Sequence, residues 1–172
     1  MSVAAPLQRR FTFADLGSCR PLLNVNAVMA LLDLDEDAVL YLIEDGQLGF
    51  AFNIADAGAG ARELRIWKGA LARMTMDQGS RSKEEPELDE VISAILPPAL
   101  DLGPRTLGLG SGATLRVEPD LTRAFNCSAT HVNDLIGQKE LQEVVNPNRK
   151  ATQTRVVTRA SVALFLERRR MI

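Results

Sequence analysis

"MALLDLDEDAVLYLIEDGQL" (Met29 to Leu48) and "TRAFNCSATHVNDLIGQKEL" (Thr122 to Leu141) carry one pattern twice. Their apolar positions coincide at a constant spacing of 93: Leu34 with Cys127, Val39 with Val132, Leu42 with Leu135, Ile43 with Ile136 and Leu48 with Leu141. Past a variable loop the match resumes at a spacing of 91, with Ile66 against Val157, Lys68 against Arg159 and Leu71 against Val162. Two residues are therefore missing from the loop of the second copy. A fixed period carried through so many buried-type positions is an internal duplication, which decides the architecture before any single motif does.

Each copy makes the same physical demands. A short amphipathic helix (about 25–32 in the first copy, about 118–125 in the second) stops at a tight turn, and a second helix opens on Asp35 or Ser128, both good N-cap types. Val39, Leu42 and Ile43, like Val132, Leu135 and Ile136, recur at helical spacing and give each second helix one buried stripe. "LGFAFNI" and "RELRIW" flank a Gly/Ala-rich loop, and "LQEVVN" and "TRVVT" flank "PNRKATQ", so each copy continues as a strand–loop–strand hairpin. "KGALARM" and "RASVALFLERRR" close the copies as helices. Between them, "PELDEVISAIL" predicts a helix with Pro86 in its first turn, and "PPALDLGPRTLGLGSG" predicts irregular chain.

Two helices at a tight turn followed by a hairpin make a winged helix-turn-helix. The pattern resembles the excisionase-like, MerR-type winged-helix family, in the second copy through "LTRAFNCSATHVNDLIGQKEL … RVVTRASVALFLERRR" and in the first through "VMALLDLDEDAVLYLIEDGQL … LRIWKGALARM". The expected fold is α+β and mainly helical: an N-terminal arm (1–22), a first winged helix-turn-helix (23–75), a linker with one helix (76–114) and a second winged helix-turn-helix (115–172). The resemblance implies a non-enzymatic protein that binds double-stranded DNA, first as a bacterial or phage transcriptional regulator, alternatively as an accessory factor that bends DNA for a recombinase. A protein–protein adaptor without DNA binding is the reading from a different class.

Charge distinguishes the copies. Residues 1–100 carry 9 Lys/Arg against 15 Asp/Glu, and residues 101–172 carry 11 against 7. Such asymmetry points one half towards a polyanion, although drifting surface charge gives the same count. The resemblance places the second helix of the second copy in the major groove, with Ser128, Ala129, Thr130, His131 and Asn133 as DNA-facing residues. Asn suits adenine, and Thr offers a hydroxyl and a methyl. It places Asn148, Arg149, Lys150, Thr152 and Gln153 on the wing as phosphate donors, with Arg155, Arg159, Arg168, Arg169 and Arg170 extending a cationic strip. Asp134 stands where the family commonly has Arg or Lys. The corresponding first-copy helix exposes Asp35, Glu36, Asp37, Glu44 and Asp45, so that copy is expected to have left the groove and to join two chains as a homodimer.

Other chemistry finds little footing. The single histidine, His131, has no Cys or carboxylate cluster at metal-ligand spacing and is expected to meet phosphate or solvent. Tyr41 sits beside the apolar stripe and is expected to pack, as is Trp67 at the hairpin–helix corner. "LGLGSGAT" lacks the lysine, strand and helix of a phosphate-binding loop. No catalytic residue, metal or cofactor is expected. No apolar run approaches the roughly 20 residues of a membrane helix, and the first residues do not read as a signal peptide. Two cysteines make no disulfide framework, which suits the cytoplasm.

Overall fold

The computed structural model describes residues 16, 20–76, 85–97, 114–145, 150 and 153–171. These residues form an α+β protein with seven α-helices and two small antiparallel sheets. The first half runs β1 (Leu22–Asn24), α1 (Val25–Leu32), α2 (Glu36–Glu44), β2 (Ala51–Asn53), β3 (Leu64–Trp67) and α3 (Lys68–Met76). After α4 (Leu88–Ile95), the second half runs β4 (Thr114–Arg116), a wide helical turn (Val117–Leu121), α5 (Thr122–Phe125), α6 (Ala129–Gly137), β5 (Val156–Thr158) and α7 (Arg159–Arg169).

The duplicated sequence produces duplicated local geometry. Asp35 Oδ1 accepts the Ala38 N–H at the start of α2, and Ser128 Oγ accepts the His131 N–H at the start of α6. Both caps satisfy a backbone donor that the first helical turn leaves without an intrahelical partner. The preceding helices end on Asp33 (φ 56°) and Asn126 (φ 53°), two residue types that tolerate the left-handed region. Beyond α2 and α6 the left-handed residues are Gly46 (φ 76°) and Lys139 (φ 62°). Leu48 N–H then bonds Leu42 O, as Leu141 N–H bonds Leu135 O. All of these pairs keep the spacing of 93.

The spacing changes in two places, not only at the loop tip. Ala51 pairs with Ile66 where Glu143 pairs with Val157, so it has already fallen to 92 where the hairpins begin. The first half accommodates its extra residue at Phe50, in the left-handed region at φ 64°. A second compensation lies at the entry to the last helix. A Cβ at Gly69 would overlap the Trp67 ring, whereas the second half has Ala160 beside the smaller Thr158.

Three features depart from expectation. Helix α5 is shorter than the 118–125 read from sequence, because Pro119 has no N–H and holds Glu118 extended (φ −117°, ψ 133°). The three-residue strands β1 and β4 were not expected. They pair with β3 and β5, Leu23 opposite Ile66 and Leu115 opposite Val157. The second hairpin is less regular than the first among the described residues: Glu143 bridges Val157, Val144 N–H bonds Val156 O and Thr158 N–H bonds Gln142 O, without a continuous strand opposite β5.

The sheet β1–β3–β2 is buried on both faces, which fixes how the halves meet. Strand side chains alternate between faces. Leu23, Ala51, Leu64 and Ile66 point into a core with Val28, Val39, Leu42, Ile43 and Leu71 of their own half. Leu22 and Phe52, with neighbouring Phe50 and Ile54, enter the other core, shared with α4 and with Phe125, Val132, Leu135, Phe165 and Leu166. Trp67 packs on that second core, edge-on to Phe50. Arg170 bridges to Phe52, and Met171 N–H bonds Ala51 O, extending the β2 edge.

Candidate nucleic-acid interface

Helix α6 buries Val132, Leu135 and Ile136 and leaves Thr130, Asp134 and Gly137 exposed at i, i+4 and i+7, flanked by half-buried Ala129 and Asn133. This open polar stripe lies between two hairpins. On one side Asn133 Oδ1 accepts from Arg155 Nη1 at 3.4 Å, and Arg155 makes a two-pronged pair with Glu143. On the other side stands the hairpin of the first half. His131 Nε2 lies 2.8 Å from Ile54 O, and Gln138 Oε1 accepts the Ala57 N–H at 2.8 Å.

The His131 contact fixes one ring nitrogen as a donor. A backbone carbonyl only accepts, so Nε2 carries the proton and Nδ1 faces Asp56 Oδ1 at 3.8 Å and Glu63 Oε2 at 3.7 Å. Asp56 Oδ1 is buried without a hydrogen-bond partner. His131 thus serves contact between the halves, with a side chain only 14% exposed, in place of the phosphate or solvent contact expected from sequence. Arg65, also buried, completes the contact. Its Nε donates to Phe125 O, its Nη2 to Asn126 O, and it pairs with Glu63 at 2.6 Å. These bonds lock the first hairpin onto the turn between α5 and α6.

The arginines expected to form a continuous phosphate-binding strip are mostly engaged within the chain. Arg159 donates to Pro97 O at 2.6 Å. Arg169 pairs with Glu140 at 3.1 Å and lies over the Phe165 ring. Arg170 pairs with Glu85 and stacks on Phe50 at 4.2 Å. Arg168 reaches Glu140 at 3.5 Å while remaining more than half exposed. Guanidinium groups seek carboxylates and aromatic faces as readily as phosphates, and the fold brings these partners to them. Ser128 is exposed and spends its hydroxyl on the helix cap. Lys150 and Gln153 are exposed at the second hairpin, with Gln153 Oε1 accepting the Lys150 N–H. Asn148, Arg149 and Thr152 lie outside the described residues.

A different set of cations is free. The side chains of Arg62, Arg123, Lys139 and Lys150 are exposed, without an ion pair or hydrogen bond among the described residues. Arg123 is on α5, Lys139 just past α6, and Lys150 and Arg62 on the two flanking hairpins. From sequence, Lys150 is expected on the wing, and Arg62 on the far strand of the first hairpin, where it leaves a weak backbone contact open. Arg123 and Lys139 stand alone in sequence, so a search for basic runs passes over them.

Helix α2, the counterpart of α6, presents Glu36, Asp37, Tyr41 and Glu44, with Tyr41 62% exposed where packing was expected. Near α6, burial pushes the Cys127 thiol up to about 11, the Arg65 charge only partly opposing this, so at neutral pH it stays a protonated, poor nucleophile. At the foot of α5, burial favours a neutral Asp120. Hydrogen bonds from the Arg116 guanidinium and N–H, with the guanidinium charge, outweigh this and hold the carboxyl below its usual value. Among the described residues, no three His, Cys, Asp or Glu side chains come together to hold a metal ion, and no helix is long and apolar enough to cross a membrane. Comparison of the chain with protein-family models, curated proteins and solved structures finds no match.

Proposed function

We propose that this chain is a cytoplasmic double-stranded DNA-binding protein built from two tandem winged helix-turn-helix units, acting as a transcriptional regulator. In this reading α6 enters the major groove and presents Thr130, Asn133 and Asp134 to base edges. The observation that carries it is the set of exposed cations without a partner among the described residues, Arg62, Arg123, Lys139 and Lys150, on α5, just past α6 and on the two hairpins that flank it. Free cations neutralise phosphates without first losing an internal partner. Asn133 offers an amide suited to adenine, and Asp134 is an acceptor suited to the cytosine amino group.

The test uses the full chain and a mixed-sequence duplex in a mobility-shift titration at several salt concentrations. Binding is expected to weaken steeply with salt. Thr130→Asp, which gives α6 the charge α2 carries at Asp37, is expected to weaken binding by at least about tenfold, or roughly 1.4 kcal/mol, at an unchanged thermal midpoint. Absence of salt-sensitive binding by the wild-type chain overturns the reading.

One observation favours the adaptor reading. The acidic face of α2, with Tyr41 at its centre, suits a basic partner protein. It does not suit a symmetric homodimer, because a two-fold axis would set its carboxylates against their own copies. The opposite face of the first-half sheet is already covered within the chain.

A further inference from the structure

We infer that the hairpin of the first half, residues 54–63, serves the second half as an additional wing, and that Arg62, where its tip rejoins the far strand, contacts the DNA backbone on the opposite flank of α6 from Lys150. The inference deepens the DNA-binding reading and rests on it. From sequence, the tip "ADAGAGA" carries an acid and no base, and Arg62, Arg65 and Lys68 on the far strand leave room for only a weak backbone contact. The fold changes which of these charges is left unpaired. Asp56 turns inward with Oδ1 buried beside His131, and Glu63 is held by Arg65. Both carboxylates of the hairpin are thus committed to the contact between the halves. Arg62 is left as its free outward charge among the described residues.

Position and shape agree with this role. Ile54 O and the Ala57 N–H bond His131 and Gln138, one near each end of α6, so the hairpin lies along the helix. Ala57 to Arg62 are all exposed. Gly58 adopts φ 88°, and neither Gly58 nor Gly60 has a heavy atom within 4 Å of where a Cβ would stand. A tip without bulky side chains lets its backbone amides approach a sugar–phosphate chain closely, while a nearby guanidinium supplies the charge. The second half's own hairpin flanks α6 from the Asn133 side, where Arg155 reaches it. DNA seated on α6 would then meet one wing from each half of the same chain.

The experiment measures the salt dependence of mixed-sequence duplex binding by the wild-type chain, Arg62→Ala and Lys150→Ala, together with photocrosslinking from Ala59→p-benzoylphenylalanine. Arg62 and Ala59 are exposed, so thermal midpoints are expected to stay at the wild-type value. Arg62→Ala is expected to lower the log–log salt slope by about one unit, as Lys150→Ala does, and residue 59 is expected to crosslink to DNA. Wild-type binding with an unchanged slope in Arg62→Ala, or with no crosslink from residue 59, overturns the inference and leaves the DNA reading intact. A wild-type chain that binds no DNA overturns both.

Discussion

Helices α2 and α6 share a frame and differ in surface. Each opens on a side-chain cap, follows a left-handed residue and buries Val, Leu and Ile at matching positions. Yet α2 shows water Glu36, Asp37 and Glu44 where α6 shows Ala129, Thr130 and Gly137. A handful of positions therefore suffices to specify the frame, and the remaining faces diverged without cost to it. The same divergence reaches the hairpins. That of the first half turned its second face into a contact, while that of the second half leaves Val145, Lys150 and Gln153 exposed.

If the halves only shared a frame and folded separately, a core substitution in one would leave the other alone. Phe52 makes the strongest test, because it is fully buried in a strand of the first half yet belongs to the core of the second. Phe52→Ala is expected to cost about 3–5 kcal/mol and to lower the midpoint of a single cooperative denaturation. Two separate transitions would break the comparison as drawn.

A smaller effect should set the second half apart. Its Asp120 corresponds to Ala27 in the first, so the Arg116–Asp120 pair has no counterpart there. Asp120→Asn is expected to cost about 1 kcal/mol at neutral pH. Because the folded carboxyl lies below its unfolded value, this stability is present above the unfolded value of about 3.9 and is lost as pH falls through the folded one. Chemical denaturation of wild type and variant should converge in acid; a difference that persists there would assign the effect to packing.

The smallest effect exchanges residues within the shared frame. Lys139 holds a left-handed conformation that Gly46 holds without a Cβ. Lys139→Gly is expected to gain about 0.5 kcal/mol, and Gly46→Ala to lose about 1. Thermal denaturation reads both, and equal signs would mean that the two turns are not equivalent.

What was legible in the sequence was what neighbours along the chain determine. The caps at Asp35 and Ser128 and the buried stripes follow from local spacing, and the duplication states each twice; the linker helix was also legible, although Pro86 precedes its N-cap Glu87 and does not lie in its first turn. The docking of the halves was less legible, because it depends on which face of a strand meets which distant surface. A signal was nonetheless present: "FAFNI" and "LRIW" are apolar at nearly every position, as strands covered on both faces are. The one charge among them, Arg65, needed carbonyls from elsewhere in the fold. Arginine engagement was the least legible, since a long side chain finds its partner through tertiary placement, so the strip expected from Arg155 to Arg170 and the unpartnered cations on the elements near α6 have no residue in common.

The two-faced sheet has a consequence for the path of folding. Arg170 meets Phe52, Arg65 meets Phe125 and Asn126, and Ile54 meets His131, all pairs distant in sequence. Closing such long loops comes before the contacts that reward it. A first half that formed ahead of the second would present Leu22, Phe50, Phe52 and Ile54 as an uncovered apolar face, open to association until docking covers it.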